Sequence, residues 1–271
     1  MNDNYRQFYN TVMEYYAEYG RHELPWRKNQ TPYRVTVSEY MLQQTQAQRV
    51  VPFFNSWMKS FPSWKSLSEA PQSEVLRLWK GLGYNSRALR LHRLAQEVNE
   101  GYKGRLPSEY KKLITLPGIG PYTAGAIRAF AFDLWTPLIE TNVRRIFIHH
   151  FFSDRNDVHD NEIMHIIQDM GEPESSREWY EALMDYGSQL PKIVYHNPNV
   201  KSKHYTKQSQ FKGSDRQIRG KILELLLETK KLPKKKLFSQ LGNENERYVK
   251  IVNQLAHEGF IDIQKKSIIL R

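Results

Sequence analysis

Residues 116–127 read LPGIGPYTAGAI, and this string restricts the fold more than any other part of the chain. Leu116-Pro117-Gly118-Ile119-Gly120 joins two helical patterns. Pro121 suits the first position of the second helix, where its missing amide costs nothing. Two glycines one residue apart let the backbone enter positive φ and approach a surface that side chains would block. The amides of Gly118, Gly120 and Tyr122 are then expected to point at a phosphate, helped by the positive end of the following helix. Leu116 and Thr123 flank them and are expected at the same surface. Ala124, Gly125 and Ala126 are small enough for the second helix to pack tightly against the first. A glycine turn alone often does no more than connect helices, but the full string is far more specific. Its expected ligand is a nucleic-acid backbone, gripped without reading sequence.

Helical spacing dominates the first two hundred residues, with no sustained alternation of period two. Apolar positions recur at that spacing in 37–54, 75–82, 89–98, 124–132 and 178–190. Breakers such as Phe61-Pro62-Ser63, Ala70-Pro71 and Leu106-Pro107-Ser108 separate them. Residues 192–213 are polar, basic and weakly periodic, which reads as an extended loop or linker. Beyond them, 218–227, 234–241 and 248–257 form three expected helices, the last ended by Gly259. Two strands, 260–263 and 267–270, are expected around Gln264-Lys265-Lys266. Three helices and a small hairpin are the order of a winged helix, a helix-turn-helix variant. The alternative is a packing appendage with no role on DNA.

The formal charge of +11 is placed unevenly. Residues 192–271 hold 18 Lys or Arg against 7 Asp or Glu, whereas 1–191 hold 22 of each sign. Such a basic block suits a polyanion, nucleic acid being the commonest, although a solvated tail would look the same. There is no cysteine, so disulfides, thiolate zinc sites and cysteine-held iron–sulfur clusters are excluded. His149, His150, His159 and His165 show no shared ligand spacing, and neither metal nor cofactor is expected. No apolar run nears the ~18 residues of a membrane span. The N-terminus is already amphipathic (Tyr5, Phe8, Val12, Tyr15, Tyr16), unlike a signal peptide, so a place in the cytoplasm or nucleoid is expected.

Together with LPWR at 24–27, SEYMLQQTQ at 38–46 and GLGY at 81–84, the hairpin string resembles the MutY-like A/G-specific adenine DNA glycosylases of the helix-hairpin-helix superfamily. The resemblance runs in order over residues 21–190. It implies an all-α, two-lobed helix-hairpin-helix glycosylase fold, to which the small winged-helix-like domain is added. One lobe would be 1–30 with 135–191, and the other a helical barrel, 31–134, carrying the hairpin. The loop 192–213 and the domain 214–271 follow. In such a fold the DNA and the flipped base lie in the groove between the lobes.

Removing adenine breaks a C1′–N9 bond whose leaving group is poor until protonated. An acid must donate to the purine, and a carboxylate must stabilise the cationic sugar. Glu39 lies among Val37, Tyr40, Met41 and Leu42, so burial should keep its proton at neutral pH. It matches the family's catalytic glutamate. Glu140, in TPLIETNVRR, stands where the family has aspartate, and a carboxylate displaced by about 1 Å can cost on the order of 100-fold in rate. The resemblance makes it the oxocarbenium stabiliser, with Asn142 hydrogen-bonding near the sugar; the alternative is a structural acid paired with Arg144 or Arg145. Related strand-nicking enzymes use a hairpin lysine as a Schiff base. Here that position is Tyr122, and 116–135 holds no lysine, so base removal without efficient strand cleavage is expected.

The resemblance also implies a base pocket of Trp26, Arg27, Leu42 and Glu181. Glu181 could accept from the exocyclic amine of adenine, which thymine lacks; a capping or solvent role is its alternative. Gln44 and Tyr84 match residues that plug the base stack and wedge beside the lesion, and Gln43 is grouped with them at the DNA. Asn85 replaces the second tyrosine of the usual GLGYY.

Two departures stand out. The family's four cluster-binding cysteines are missing after MDYGSQL, and Lys192, Lys201, Lys203 and Lys207 are expected to keep that loop's electrostatic role. The family's lesion-sensing C-terminal domain is also expected to be absent, with the winged-helix-like segment in its place. The expected partner is double-stranded DNA with a mismatch or lesion, bound by a monomer, with no membrane involved. Adenine opposite 8-oxoguanine or G is the expected target; thymine or uracil mismatches, or a weakly catalytic lesion sensor, are the alternatives.

Overall fold

The structure is a computed structural model, and it describes residues 2–207 and 210–271. Gln208 and Ser209, inside the expected linker, lie outside the described residues. Along the chain run helices α1 (Asp3–Tyr19), α2 (Pro25–Lys28), α3 (Pro32–Leu42), α4 (Ala47–Ser60) and α5 (Trp64–Ser68). Then come α6 (Gln72–Trp79), α7 (Ser86–Gly101), α8 (Tyr110–Leu113), α9 (Pro121–Phe132) and α10 (Thr141–Phe151). Helices α11 (Asp160–Met170) and α12 (Ser176–Ile193) precede a 3-10 turn, Pro198–Lys201. The C-terminal part adds α13 (Asp215–Thr229), β1 (Lys231–Pro233), α14 (Lys234–Leu241), α15 (Glu246–His257), β2 (Ile261–Ile263) and β3 (Ser267–Leu270).

The chain divides into two compact units, one of Met1–Glu39 with Leu106–Lys207 and one of Tyr40–Arg105 with Gln208–Arg271. This is not the expected division at 30, 134 and 191. The hairpin and α9 go with the terminal segments because Ala126, Ala129 and Phe130 sink into the same core as Phe8, Val12, Ile146 and Phe147. Residues 214–271 pack with 40–105 rather than standing apart. Lys80 pairs with Glu224 at 2.6 Å, and Gln72 donates to the Gly259 carbonyl at 2.9 Å.

Within the first unit, α1 starts at Asn2, whose side chain accepts from the Tyr5 amide, and buries Phe8, Val12 and Tyr16, one per turn. Fully burying a Phe or Val side chain contributes roughly 1.5–3 kcal/mol. Helix α9 begins at Gly120 with Pro121 at its first position and ends at Asp133 in the left-handed region. Its small face lets Leu138 and Thr136 come within 3.4–3.5 Å of where a Gly125 Cβ would stand. After α12 the chain folds back onto α10: Asn199 donates to the Thr141 carbonyl at 2.9 Å, and Arg145 donates to Asn197 Oδ1 at 3.2 Å. Two backbone bonds then join Val158 to Lys201 and Lys203, at 2.9 and 3.1 Å. Residues 194–203, expected as an extended loop, are therefore fastened by side-chain amides and a short bridge. The chain has no thiolates for an iron–sulfur cluster, and these polar staples hold the segment that follows α12.

In the second unit, Trp57 and Trp79 pack edge to face, 5.5 Å between ring centroids, over a core that includes Leu67, Leu91 and Leu94. The periodic stretch 37–54 is not one helix. It breaks between α3 and α4, with Gln44 at φ 57. The C-terminal part has the winged-helix order with an added strand. β3 lies central in an antiparallel sheet β1-β3-β2, pairing Leu232 with Ile268 and Asp262 with Ile269.

Helix α12 packs tightly against α10 at Gly187, where a Cβ would stand 2.6 Å from the Asn142 carbonyl oxygen and 2.7 Å from its Cβ. Main chain cannot swing aside. Gly187→Ala is expected to cost about 1–3 kcal/mol, read as a lower urea midpoint, with activity falling as Asn142 is displaced. A wild-type midpoint would show that the helices separate freely there.

Candidate active site

Glu39 occupies the last third of α3 and is buried beside Tyr122, whose hydroxyl donates to its Oε2 at 3.3 Å. Burial pushes its pKa up to about 7, against that hydrogen bond and with a further push from the charge of Glu140. The Tyr122 phenol is itself held well above its ordinary range, by burial first and then by the two carboxylates. It stays a donor at any physiological pH.

Glu140 is the N-cap of α10. Its Oε1 accepts from the Asn142 and Val143 amides, the latter at 2.9 Å, and its Oε2 from Asn142 Nδ2 at 3.3 Å. Burial raises its pKa, while the two amides, Arg145 and Arg144 act against the rise. Neither arginine forms an ion pair with it. Arg144 is taken by Asp160 at 2.7 Å, and Arg145 donates to Asn142 Oδ1 at 2.8 Å. The expected alternative of a simple Glu140–arginine pair is thus not what forms. Glu39, Tyr122, Glu140 and Asn142 make one polar cluster, with an acid at one end and a capped carboxylate at the other.

A second network surrounds Glu181, which is buried on α12. Tyr16 donates to its Oε2 at 2.7 Å, Gln30 donates to its Oε1 at 2.5 Å, and Arg27 Nε stands 3.5 Å away. Burial raises its pKa, opposed mainly by Arg27. Arg27 gives its guanidinium to Asp185, at 2.7 and 2.9 Å, and Asp185 also takes Arg21. A carboxylate has room for about four acceptor contacts, so Glu181 retains capacity for one more donor. Trp26 is buried next to Arg27 on α2.

At the hairpin only Gly118 uses positive φ, at 75°; Gly120 has φ −94° and ψ 178°. Open space lies where a Gly120 Cβ would stand, so glycine there serves approach from outside, not a dihedral. Among the described residues no acceptor takes the amides of Gly118, Gly120, Tyr122 or Thr123. Leu116 and Thr123 are buried, so their side chains anchor the turn and only their main chain is offered. Lys192 and Lys203 are exposed, but Lys201 turns its ammonium to the Ser153 carbonyl and serves as a tether.

In the second unit, Leu42 and Gln43 are half-buried and Gln44 is exposed, on the turn that ends α3. Tyr84 follows Gly83 in a second turn, at φ 48. Arg87, absent from the expected site, joins the two turns. Its buried guanidinium donates to the carbonyls of Tyr40, Met41 and Gln43 (2.7, 3.0 and 2.7 Å) and to those of Leu82 and Gly83 (3.4 and 3.0 Å). Among the described residues it has no carboxylate partner, and burial lowers its pKa to about 10. Sequence reasoning also misses Asp185 and Arg21. Asp185 sits inside the MDYGSQL segment, four residues and one helical turn after Glu181, and that spacing is the available signal.

Residues 37–173 match the model of the HhH-GPD superfamily of base excision DNA repair proteins, and the chain belongs to that superfamily. Among its relatives, the adenine DNA glycosylase of Buchnera aphidicola subsp. Baizongia pistaciae is 35% identical over 182 residues, 67% of this chain and 52% of that protein. That of Mycolicibacterium smegmatis is 31% identical over 225 residues, 77% of each chain. The chain spans about half the length of the Buchnera relatives it matches. The solved structure of a thermostable thymine-DNA glycosylase superposes with a TM-score of 0.61 at 25% identity, covering 69% of this chain and 87% of that one.

Asp185→Ala would leave Arg27 buried without its main partner and is expected to destabilise the fold by about 3–5 kcal/mol in chemical denaturation. Burial pulls the pKa of Asp185 up, but Arg27 and Arg21 outweigh it, and in the folded state the value is lowered. Its contribution is therefore present above the ordinary carboxylate range and lost as pH falls through the lowered value. The difference between variant and wild type should narrow in acid, and a constant difference would mean the pair is not the source.

Proposed function

We propose that the chain is a DNA glycosylase that hydrolyses the N-glycosidic bond of mispaired adenine, opposite 8-oxoguanine or G, in double-stranded DNA. The observation that carries this reading is the unequal pair of carboxyls, Glu39 with a pKa near 7 and Glu140 capping α10. Glu39 gives its proton to the purine as C1′–N9 breaks, so the base leaves neutral. Glu140 faces the positive charge that grows on the sugar, and Asn142 orients Glu140. Water adds to C1′ and returns a proton to Glu39, closing the cycle. Tyr122 donates a hydrogen bond where strand-nicking relatives carry a lysine amine, so the phosphodiester stays intact.

Base choice falls to Glu181, whose spare acceptor capacity suits an exocyclic amine, with Trp26 as an apolar wall and Arg27 setting its charge. The free amides of Gly118, Gly120 and Tyr122 take a phosphate. Gln44 fills the gap left by the flipped base, Tyr84 wedges beside it, and Gln43 lies with them. Lys192 and Lys203 add attraction to the backbone. A second reading, thymine or uracil removal, draws support from the likeness to the thymine-DNA glycosylase structure.

A panel of A:8-oxoguanine, A:G, T:G and U:G duplexes, developed with hot alkali, tests both. Cleavage at the adenine duplexes alone is expected. Cleavage only at T:G and U:G would transfer the assignment, and none anywhere would leave a lesion-binding protein. Glu39→Gln should abolish turnover while duplex binding persists. The wild-type single-turnover rate should be flat below about pH 7 and fall roughly tenfold per unit above it, as the acid loses its proton. A rate rising through that range would make Glu39 a base only. Changing Lys192 and Lys203 to alanine should make the logarithmic salt dependence of binding shallower, by about 0.9 for every phosphate that is no longer neutralised.

A further inference from the structure

Tyr84 closes a turn in which Gly81, Gly83 and Tyr84 all have positive φ, 104°, 76° and 48°. A tyrosine holds that conformation only where its surroundings impose it. Arg87 imposes the main chain: its Nε reaches the Tyr84 carbonyl at 3.4 Å, beside the bonds to Leu82 and Gly83. Tyr84 remains 39% exposed, and the outer end of its ring meets a residue from a remote part of the sequence. Arg216, in the first turn of α13, donates from Nη1 to the Tyr84 hydroxyl at 2.8 Å. Its guanidinium carbon lies 5.5 Å from the ring centroid, and that of Arg87 lies 5.6 Å from it. The position of α13 is itself fixed. Ser214 caps it, Glu224 pairs with Lys80, and Arg219 pairs with Glu258 at 2.6 Å.

We propose that Arg216 is a positioning residue for Tyr84, which makes the C-terminal winged-helix part a component of lesion engagement. The proposal rests on the reading of Tyr84 as the wedge. A flat ring that must enter the base stack loses rotamer freedom on binding, and holding it in advance removes that cost from the encounter. Arg216 does this through both the hydroxyl and the ring, from a segment that has no counterpart in the residues carrying the glycosylase motifs. Its guanidinium also brings positive charge to the point where a phosphate backbone would pass.

The test uses the full chain and an A:8-oxoguanine duplex with 2-aminopurine beside the target base, whose fluorescence reports unstacking whether or not cleavage occurs. Arg216→Ala, Tyr84→Phe and the double variant are compared in DNA titrations and single-turnover kinetics. Arg216→Ala should raise the half-saturating DNA concentration by about tenfold and reduce the unstacking signal, with a smaller effect on the rate at saturation. Tyr84→Phe removes the hydroxyl and leaves the ring, and should reproduce part of this. The double variant should be no worse than Arg216→Ala, and Arg216→Lys should recover part of the loss. Wild-type unstacking in Arg216→Ala, or multiplicative effects in the double variant, would overturn the proposal. Tyr84→Ala separates the two ideas. If it unstacks DNA normally the wedge reading fails, and if it alone is impaired only the role of Arg216 fails. Thermal melting checks each variant; should Arg216→Ala lose a cooperative melt, Tyr84→Phe and Arg216→Lys carry the decision.

Discussion

A carboxyl group withdrawn from water keeps its charge only where the protein replaces the lost hydration, and the first unit replaces it unevenly for Glu39 and Glu140. Glu39 receives one phenol at 3.3 Å. Glu140 receives two main-chain amides, a side-chain amide and the fields of Arg144 and Arg145 at the positive end of α10. Burial raises both pKa values, but the compensation lies on one side, and the charge kept at Glu140 raises Glu39 further. Much of the packing maintains that difference. Asn142 is held by Arg145, and α12 approaches it closely enough that only glycine fits at 187. The same helix then carries Glu181 and Asp185, so its register against α10 aligns the second network with the first.

The buried arginines obey the same rule with different counterparts. Arg27 meets Asp185 and Glu181, which outweigh the pull of burial on its charge. Arg87 meets no carboxylate among the described residues, only carbonyls, the Thr45 hydroxyl and the faces of Trp79 and Tyr84, and its pKa falls. An ion pair would have served stability as well, but carbonyls from six residues tie two turns together in a way that one carboxylate could not. Both turns contain a non-glycine residue in the left-handed region, Gln44 and Tyr84, and such strain persists only where the surroundings over-determine it.

Local chemistry explains what is legible in the sequence. Pro121 after Gly120, and small residues on the next turn, dictate the entry and packing of α9. Apolar neighbours around Glu39 announce its burial, and three periodic segments before a hairpin give the winged-helix order. What stays hidden depends on interactions of long range. Apolar positions recur at helical spacing on both sides of the polar run 43–46, and Arg87, more than forty residues away, fixes the break there by taking the Gln43 carbonyl. β1 has three residues, one a proline, and becomes a strand only because β3 offers an edge. The polar character of 194–203 suggests a linker, yet its asparagines are donors and acceptors for α10 and the loop beside it.

Glutamate at 140 is the departure from the family pattern that bears most directly on the chemistry, and the cap geometry limits its consequence. A side chain pointing freely into a pocket would carry its charge a bond further with each methylene. Glu140 instead curls back over the first turn of α10, where its Oε1 takes the amides at the second and third helical positions, the bonds an aspartate cap makes. The helix end therefore fixes where the charge sits, and the extra methylene is absorbed in the path between backbone and carboxylate. The added length costs rotamer freedom, roughly a few tenths to 1 kcal/mol by comparison of side chains of this type, and three hydrogen bonds offset it. In the proposed reaction, what the substitution alters is less the position of the negative charge than the stiffness with which Asn142 and the helix terminus hold it.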